Sequence, residues 1–236
     1  MIRMSRRPSP IAFLRVRWLL AAWLLLSLLP MQGFAQAAPA AVPPPPTRTL
    51  LVMGDSLSAG YGMAANEGGV GLLAPRLRDS HPDWSVVNAS ISGETSAGGS
   101  ARVVDEVVRH RPAVVVIALG ANDGLRGLPL REMRRNLARM IGASQFVGAD
   151  VLLVGMRMPP NLGADYTRGF EGVYRDLAEL FDVELLPFLL EPVALERSSF
   201  QPDNLHPTAQ VQPALRDHVW RSLAPLIERA DAAISD

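Results

Sequence analysis

A serine and an Asp–His pair are the residues of this 236-residue sequence best suited to chemistry. Ser56 lies in the segment Gly-Asp-Ser-Leu-Ser (54–58), directly after the apolar run 49–53. A short apolar run that ends in Gly-Asp-Ser predicts a buried strand followed by a sharp turn. Asp203 and His206 lie three residues apart between two prolines near the end of the chain. Because a serine hydroxyl is a weak nucleophile until a base takes its proton, we expect His206 to activate Ser56. Asp203 would hold the imidazole in one tautomer.

Two further turns follow predicted strands and could stabilise a developing negative charge. Gly93 lies in the turn 88–95, and Asn122 lies in the turn 120–124. A tetrahedral oxyanion needs preorganised neutral donors, which the Ser56 N–H, the Gly93 N–H and the Asn122 amide would supply. Each motif alone also fits an ordinary helix cap, flexible loop or turn. Their combination favours catalysis, because open α/β sheets bring such loops to one crevice.

The hydrophobic pattern predicts a parallel sheet that would bring these side chains together. Five apolar, β-branched-rich runs alternate with helical stretches, which indicates βαβ units with right-handed crossovers. Several runs are apolar throughout, as expected for parallel strands covered on both faces. The predicted strands are 50–53, 85–88, 113–119, 151–155 and 183–186. The predicted helices are 72–80, 99–110, 130–146, 167–181 and 209–230, the last starting or bending at Pro213. We therefore expect one three-layer α/β/α domain.

The first 37 residues have the features of a secretory signal peptide. Five Arg and no acidic residue precede the apolar run 18–29, and Ala-Gln-Ala follows at 35–37. A basic segment, a short apolar core and an A-x-A site are the three parts of such a peptide. The run is also shorter than the roughly 20 residues that span a bilayer. We predict a signal peptide over 1–37, a Pro/Ala-rich lead-in over 38–47 and a single domain over 48–236, in a protein exported to the periplasm or secreted.

Composition argues against several kinds of partner. Without the signal arginines, 18 Arg stand against 23 Asp and Glu, a formal charge of −5. A mildly acidic chain without a basic run argues against nucleic acid. The absence of Cys leaves no disulfide and no cysteine for a lipid anchor. His81, His110 and His218 lack ligand spacing, so no metal is expected. We expect a monomer with small-molecule substrates and no membrane span after signal cleavage.

Four sequence blocks resemble those of the SGNH (GDSL-type) hydrolases, and within them the exported bacterial multifunctional thioesterase, lysophospholipase and arylesterase group. The blocks are Gly-Asp-Ser-Leu-Ser-Ala-Gly-Tyr-Gly (54–62), Ser-Gly-Glu-Thr-Ser (92–96), Leu-Gly-Ala-Asn-Asp-Gly-Leu-Arg-Gly (119–127) and Asp-x-x-His-Pro (203–207). They occur in family order over nearly the whole chain that follows the signal peptide. The resemblance implies Ser56 as nucleophile, His206 as base and Asp203 as the residue that orients it.

The same resemblance implies a flavodoxin-like five-stranded parallel sheet and no metal or organic cofactor. It also implies an oxyanion hole made by Ser56, Gly93 and Asn122. Two departures are minor: Glu94 stands where Asp is expected, and Ala121 stands where Gly is frequent. Neither side chain has a role in the expected mechanism.

The expected reaction is hydrolysis of esters and thioesters through an acyl-enzyme on Ser56. Thiolates and phenolates leave readily, so thioesters and aryl esters are expected substrates, and the resemblance adds lysophospholipids. By resemblance the loop 155–163 lies beside the acyl pocket, where Met158, Pro159 and Leu162 would contact an alkyl chain. An ordinary crossover with buried Met fits this loop equally well. Two other functions stay open: a carbohydrate O-deacetylase of the same fold, and a non-catalytic lipid- or glycan-binding module.

Overall fold

A computed structural model describes residues 48–233, and these residues fold around a five-stranded sheet. The predicted signal peptide and lead-in, 1–47, lie outside the described residues. The strands are β1 (Arg48–Gly54), β2 (Trp84–Asn88), β3 (Val114–Ala118), β4 (Asp150–Val154) and β5 (Glu184–Leu186). Their order is β2-β1-β3-β4-β5, and every pairing is parallel. The predicted flavodoxin-like parallel sheet is confirmed.

Seven α-helices lie among the described residues, and the five that were predicted are all present. They are α1 (Ser56–Ala59), α2 (Gly69–Ser80), α3 (Ser96–His110), α4 (Ala121–Leu125), α5 (Leu130–Phe146), α6 (Ala164–Phe181) and α7 (Gln212–Ala232). Pro213 lies in the first turn of α7, as the sequence suggested. The short helices α1 and α4 were not predicted. Within residues 48–233, no helix is both long and apolar enough to cross a membrane.

Helices cover both faces of the sheet and so form three layers. Helices α3, α5 and α6 pack on one face, and α2 and α7 pack on the other. In β1, Leu51 and Met53 point into the core beneath α3, α5 and α6, whereas Leu50 and Val52 point into the core beneath α2 and α7. Because alternate residues of a strand point to opposite faces and both faces are buried here, the strands are continuous apolar runs.

The carboxyl ends of β1 and β3 form the switch point of the sheet. These strands are neighbours, yet the chain leaves β1 through α2 on one face and reaches β3 through α3 on the other. Open α/β sheets bind ligands where the connections diverge in this way. Ser56 follows β1 and Asn122 follows β3, so both residues lie at this edge.

Candidate active site

Ser56 is the first residue of α1, directly beyond the end of β1. Asp55 caps this helix, because its Oδ1 accepts a hydrogen bond from the Leu57 N–H at 3.0 Å. Gly54 permits the tight turn, since a Cβ at that position would lie 2.5 Å from Ser58 Oγ. The Gly-Asp-Ser segment thus places Ser56 at the carboxyl edge of the sheet, facing an open cleft.

The structure brings Ser56, His206 and Asp203 into one hydrogen-bonded chain. His206 Nε2 lies 2.8 Å from Ser56 Oγ, and His206 Nδ1 lies 2.7 Å from Asp203 Oδ2. Ser56 and His206 are 150 residues apart in sequence. The contact therefore depends on the fold bringing the last loop to the end of β1.

The loop that carries the Asp–His pair is held by its own hydrogen bonds. Asp203 Oδ1 accepts from the N–H groups of Leu205 and His206, at 3.0 and 3.1 Å. Phe200 and Pro207 pair across the base of the loop. The hydrogen bond with the His206 side chain, supported by the two N–H groups, lowers the pKa of Asp203 to about 2. Asp203 is therefore a carboxylate at any ordinary assay pH, able to accept a hydrogen bond from the Nδ1–H of His206.

Asp55 is a second carboxylate at this site, and the sequence analysis assigned it no role. The residue is 2% exposed, and burial raises its pKa from 3.8 to about 6. Hydrogen bonds from the Leu57 N–H and the Asn122 side chain, together with the attraction of His206, lower the pKa only in part. Once ionised, Asp55 places a negative charge that favours a positively charged imidazole.

Gly93 and Asn122 line the same cleft as Ser56. Gly93 has a φ of +79°, in the left-handed region that favours glycine. Asn122 Nδ2 donates to the Glu94 carbonyl oxygen at 3.1 Å and to Asp55 Oδ2 at 3.3 Å. The first bond ties the Asn122 amide to the turn that carries Gly93.

A buried carboxylate, Asp123, joins the turns that carry these donors. Asp123 is 3% exposed. It accepts one hydrogen bond from the Ser96 N–H at 2.7 Å and a second from the Ser96 hydroxyl Oγ at 2.6 Å. Asn136 Nδ2 in turn donates to Ser96 Oγ at 3.0 Å. Glu94 forms a separate ion pair with Arg102, in which two guanidinium nitrogens of Arg102 donate to the Glu94 carboxylate. Sequence reasoning missed these supports, because their partners are not neighbours in the chain.

The cleft has a volume of about 730 Å³ and combines polar groups with apolar side chains such as Leu125 and Phe188. Met158 and Pro159 line it, as expected. Met158 is also part of the main core. Leu162 departs from the expectation: it is not among the lining residues and packs against the core instead. The reason is that it ends the 3-10 turn Pro160–Leu162, which leads directly into α6.

The other three histidines make contacts outside the Ser–His–Asp chain. His81 Nδ1 contacts Asp231 at 2.7 Å, His110 contacts Glu106 at 3.4 Å, and His218 Nε2 contacts the Phe188 carbonyl oxygen at 3.0 Å. In the part of the chain that the structure describes, no group of three or more His, Cys, Asp or Glu residues could hold a metal ion.

A parallel α/β sheet with a hydrogen-bonded Ser–His–Asp chain at its carboxyl edge is the arrangement typical of a serine hydrolase. Comparison with protein families supports this class. Residues 52–212 match the GDSL-like lipase/acylhydrolase family. The chain belongs to this family, as the four sequence blocks indicated.

Similar proteins cover most of the chain. It is 44% identical over 209 residues to "Esterase TesA" of Pseudomonas aeruginosa, covering 89% of this chain and 98% of that protein. It is 41% identical over 179 residues to "Thioesterase 1/protease 1/lysophospholipase L1" of Escherichia coli K12, covering 76% and 85% respectively. A crystal structure of TesA superposes with a TM-score of 0.74 at 46% identity, over 76% of this chain and 99% of that one.

Proposed function

We propose that this protein is a serine esterase and thioesterase that forms an acyl-enzyme on Ser56. The observation that carries the proposal is the hydrogen-bonded chain from Ser56 through His206 to Asp203, with contacts of 2.8 and 2.7 Å. In the first half-reaction, His206 Nε2 takes the Ser56 proton as Oγ attacks the carbonyl carbon. The imidazolium then gives that proton to the departing oxygen or sulfur.

In the second half-reaction, water replaces the leaving group. His206 Nε2 takes a proton from the water as the water oxygen attacks the acyl-enzyme, and the acid leaves as the proton returns to Ser56 Oγ. Asp203 stays ionised throughout, because its pKa is about 2. It accepts the Nδ1 hydrogen of His206, which leaves the Nε2 lone pair directed at Ser56.

Both half-reactions pass through a tetrahedral oxyanion, for which we assign the Ser56 N–H, the Gly93 N–H and the Asn122 amide as donors. All three residues line the cleft. The resting Asn122 amide uses one hydrogen on the Glu94 carbonyl and the other on Asp55 at 3.3 Å. The contact with Asp55 is the longer of the two, so an oxyanion would replace it while the Glu94 bond keeps the amide in place.

The proposed substrates are acyl thioesters, aryl esters and lysophospholipids. Similar proteins carry the names esterase, arylesterase and thioesterase/lysophospholipase. The cleft of about 730 Å³ lies within the range of sites that bind drug-sized ligands and is far larger than an acetyl group requires. Met158 and Pro159 are the proposed contacts for the acyl chain.

We also propose export to the periplasm or the medium, and a monomeric state. The three-part pattern of residues 1–37 supports export. Expression of the full-length sequence, followed by intact mass measurement of the protein from the periplasmic fraction, is expected to show cleavage after Ala37. A full-length mass in the cytoplasmic fraction would contradict export. Light scattering of the purified protein measures its molar mass and so tests the monomeric state.

The catalytic proposal is tested with p-nitrophenyl esters from acetate to palmitate, beside acyl-CoA thioesters and the Ser56→Ala variant. We expect turnover that is lost in the variant and that extends to acyl chains well beyond acetate. Turnover restricted to acetate and acetylated glycans would favour a carbohydrate O-deacetylase. Ligand binding without turnover by a folded wild type would favour a binding module.

A further inference from the structure

Tyr61 lies against the imidazole of His206, although nothing in the expected mechanism requires an aromatic residue there. The two ring centroids are 4.4 Å apart and the ring planes are inclined by 33°. The two rings are therefore tilted, closer to parallel than to an edge-to-face arrangement. Tyr61 is half exposed, so burial in a core does not explain its position.

The backbone around Tyr61 is fixed on both sides. Its N–H donates to the Ser56 carbonyl oxygen at 3.1 Å, so the tyrosine is tied to the residue that carries the nucleophile. Its own carbonyl oxygen accepts from Gln201 Nε2 at 2.9 Å. The adjacent Gly62 lies so close to Gln201 that a Cβ would come within 2.6 Å of Oε1. The tyrosine is thus held between the serine turn and the Asp–His loop.

Gln201 connects these two parts of the site. Besides the Tyr61 carbonyl, its Nε2 donates to the Pro207 carbonyl oxygen at 3.1 Å, and its N–H donates to the His206 carbonyl oxygen at 2.8 Å. The Gln201 side chain therefore joins the backbone of the serine turn to the Pro207 backbone, and the Gln201 backbone N–H adds a bond to His206 itself. This clamp, made by Gln201, holds the backbone of Tyr61 at a fixed position relative to the backbone of His206.

We propose that Tyr61, clamped by Gln201, is a positioning residue that packs its ring on the His206 imidazole and favours the imidazolium formed when Ser56 loses its proton. The proposal rests on the proposed function of His206 as the base. An aromatic face attracts a cation within about 6 Å of its centroid, and this attraction is lost when the imidazole is neutral. The ring also limits rotation of the imidazole away from Ser56 Oγ.

Two carboxylates also act on the imidazole. Asp203 binds Nδ1 from the same loop, and Asp55 acts on it electrostatically from the serine turn. Burial raises the pKa of Asp55 to about 6, so ionisation of Asp55 contributes to any activity profile near that pH. The experiment must therefore observe the His206 ring directly as well as the rate.

The variants are Tyr61→Leu, which covers the imidazole with an apolar side chain but removes the aromatic face, and Tyr61→Phe, which retains that face. Each is expressed from the full-length sequence. NMR spectra of the imidazole C–H groups are recorded from pH 4 to 9, with His206 assigned from the His206→Gln spectrum. The acid limb of kcat/KM for p-nitrophenyl butyrate is measured in parallel, because it reports groups of the free enzyme. Leu125→Ala, a change in the same cleft without an aromatic ring, is the matched control.

We expect Tyr61→Leu to move the His206 titration midpoint down by about 0.4 to 0.7 pH units and to lower kcat/KM about two- to fivefold, the size of a cation–π contact at an exposed site. Tyr61→Phe and Leu125→Ala are expected to keep the wild-type midpoint. An unchanged or raised midpoint in Tyr61→Leu would overturn the proposal, even if turnover falls. A wild type that hydrolyses no ester would instead count against the proposed function, and the NMR comparison would still decide the role of Tyr61.

Discussion

Replacing Asp55 with Asn is expected to change how the stability of the fold depends on pH. An Asp side chain ordinarily titrates at 3.8, whereas burial raises the pKa of Asp55 to about 6 in the folded protein. The folded state therefore keeps the proton to a higher pH than the unfolded chain does. The stability that the protonated form confers is fully present below about pH 3.8 and is lost as the pH rises through about 6.

The size of this effect follows from the two pKa values. A shift of about 2 units corresponds to about 3 kcal/mol of unfolding free energy lost by pH 8, with only a small part of it lost by pH 4. Asn has nearly the same shape and keeps an oxygen for the Leu57 N–H, but it does not ionise. The variant replaces the Asp55 oxygen that accepts from the Asn122 amide, and the loss of this hydrogen bond is expected to cost about 1 kcal/mol at every pH. The slope with pH, rather than the absolute stability, is therefore the informative quantity.

The assay is urea unfolding of wild type and Asp55→Asn at pH 4 and at pH 8. We expect the difference in unfolding free energy between the two proteins to shift by about 2 to 3 kcal/mol in favour of the variant between these pH values. Asp105→Asn, which changes an exposed carboxylate on α3, is the matched control and is expected to keep the wild-type pH dependence. A difference between wild type and Asp55→Asn that stays constant with pH would refute the argument that burial of this carboxylate opposes its ionisation.

Three other substitutions test the parts of the site separately. Asn122→Ala is expected to lower kcat by about 10² to 10³, the loss of one oxyanion donor, and an unchanged kcat would remove this residue from the mechanism. Asp123→Ala is expected to reduce kcat and unfolding free energy together, because the buried Ser96 groups lose their acceptor; intact stability and rate would show that the two turns hold without it. Gly120→Ala is expected to destabilise the fold by several kcal/mol, because the Gly120 φ is +118° and a Cβ would lie 2.2 Å from Tyr174 Oη. Chemical unfolding measures the loss of unfolding free energy, and a loss below about 1 kcal/mol would contradict this prediction.

The sheet could be predicted because its strands are buried on both faces and form continuous apolar runs. Each of the five runs became a strand, with ends that differ by a few residues. Helix starts were harder to place. The N–H of Gly69 at the start of α2 donates to Gln212 Oε1 at 2.9 Å, a partner 143 residues away that local sequence does not reveal. Helices α1 and α4 have only four and five residues, too few to show a helical period.

In the candidate site, too, residues in short local motifs could be predicted, whereas residues whose partners are distant in sequence could not. Ser56, Asp203 and His206 could be chosen because their motifs are short and their chemistry is specific, and the fold does bring them together. Asp55 and Asp123 could not be recognised from their neighbours alone. Asp55 meets an amide 67 residues away, and Asp123 meets a serine 27 residues away. Such supports depend on the packed loops and become visible only in three dimensions.

The central claim, that Ser56 is the nucleophile of an acyl-transfer site, is tested most directly by covalent labelling. The protein is treated with a fluorophosphonate, which phosphonylates activated serines, and its intact mass and peptide map are measured alongside residual esterase activity. We predict one adduct per chain, located at Ser56, with activity lost in proportion to labelling and no adduct in Ser56→Ala. Full activity in Ser56→Ala, or an inactivating adduct on another residue, would contradict the account.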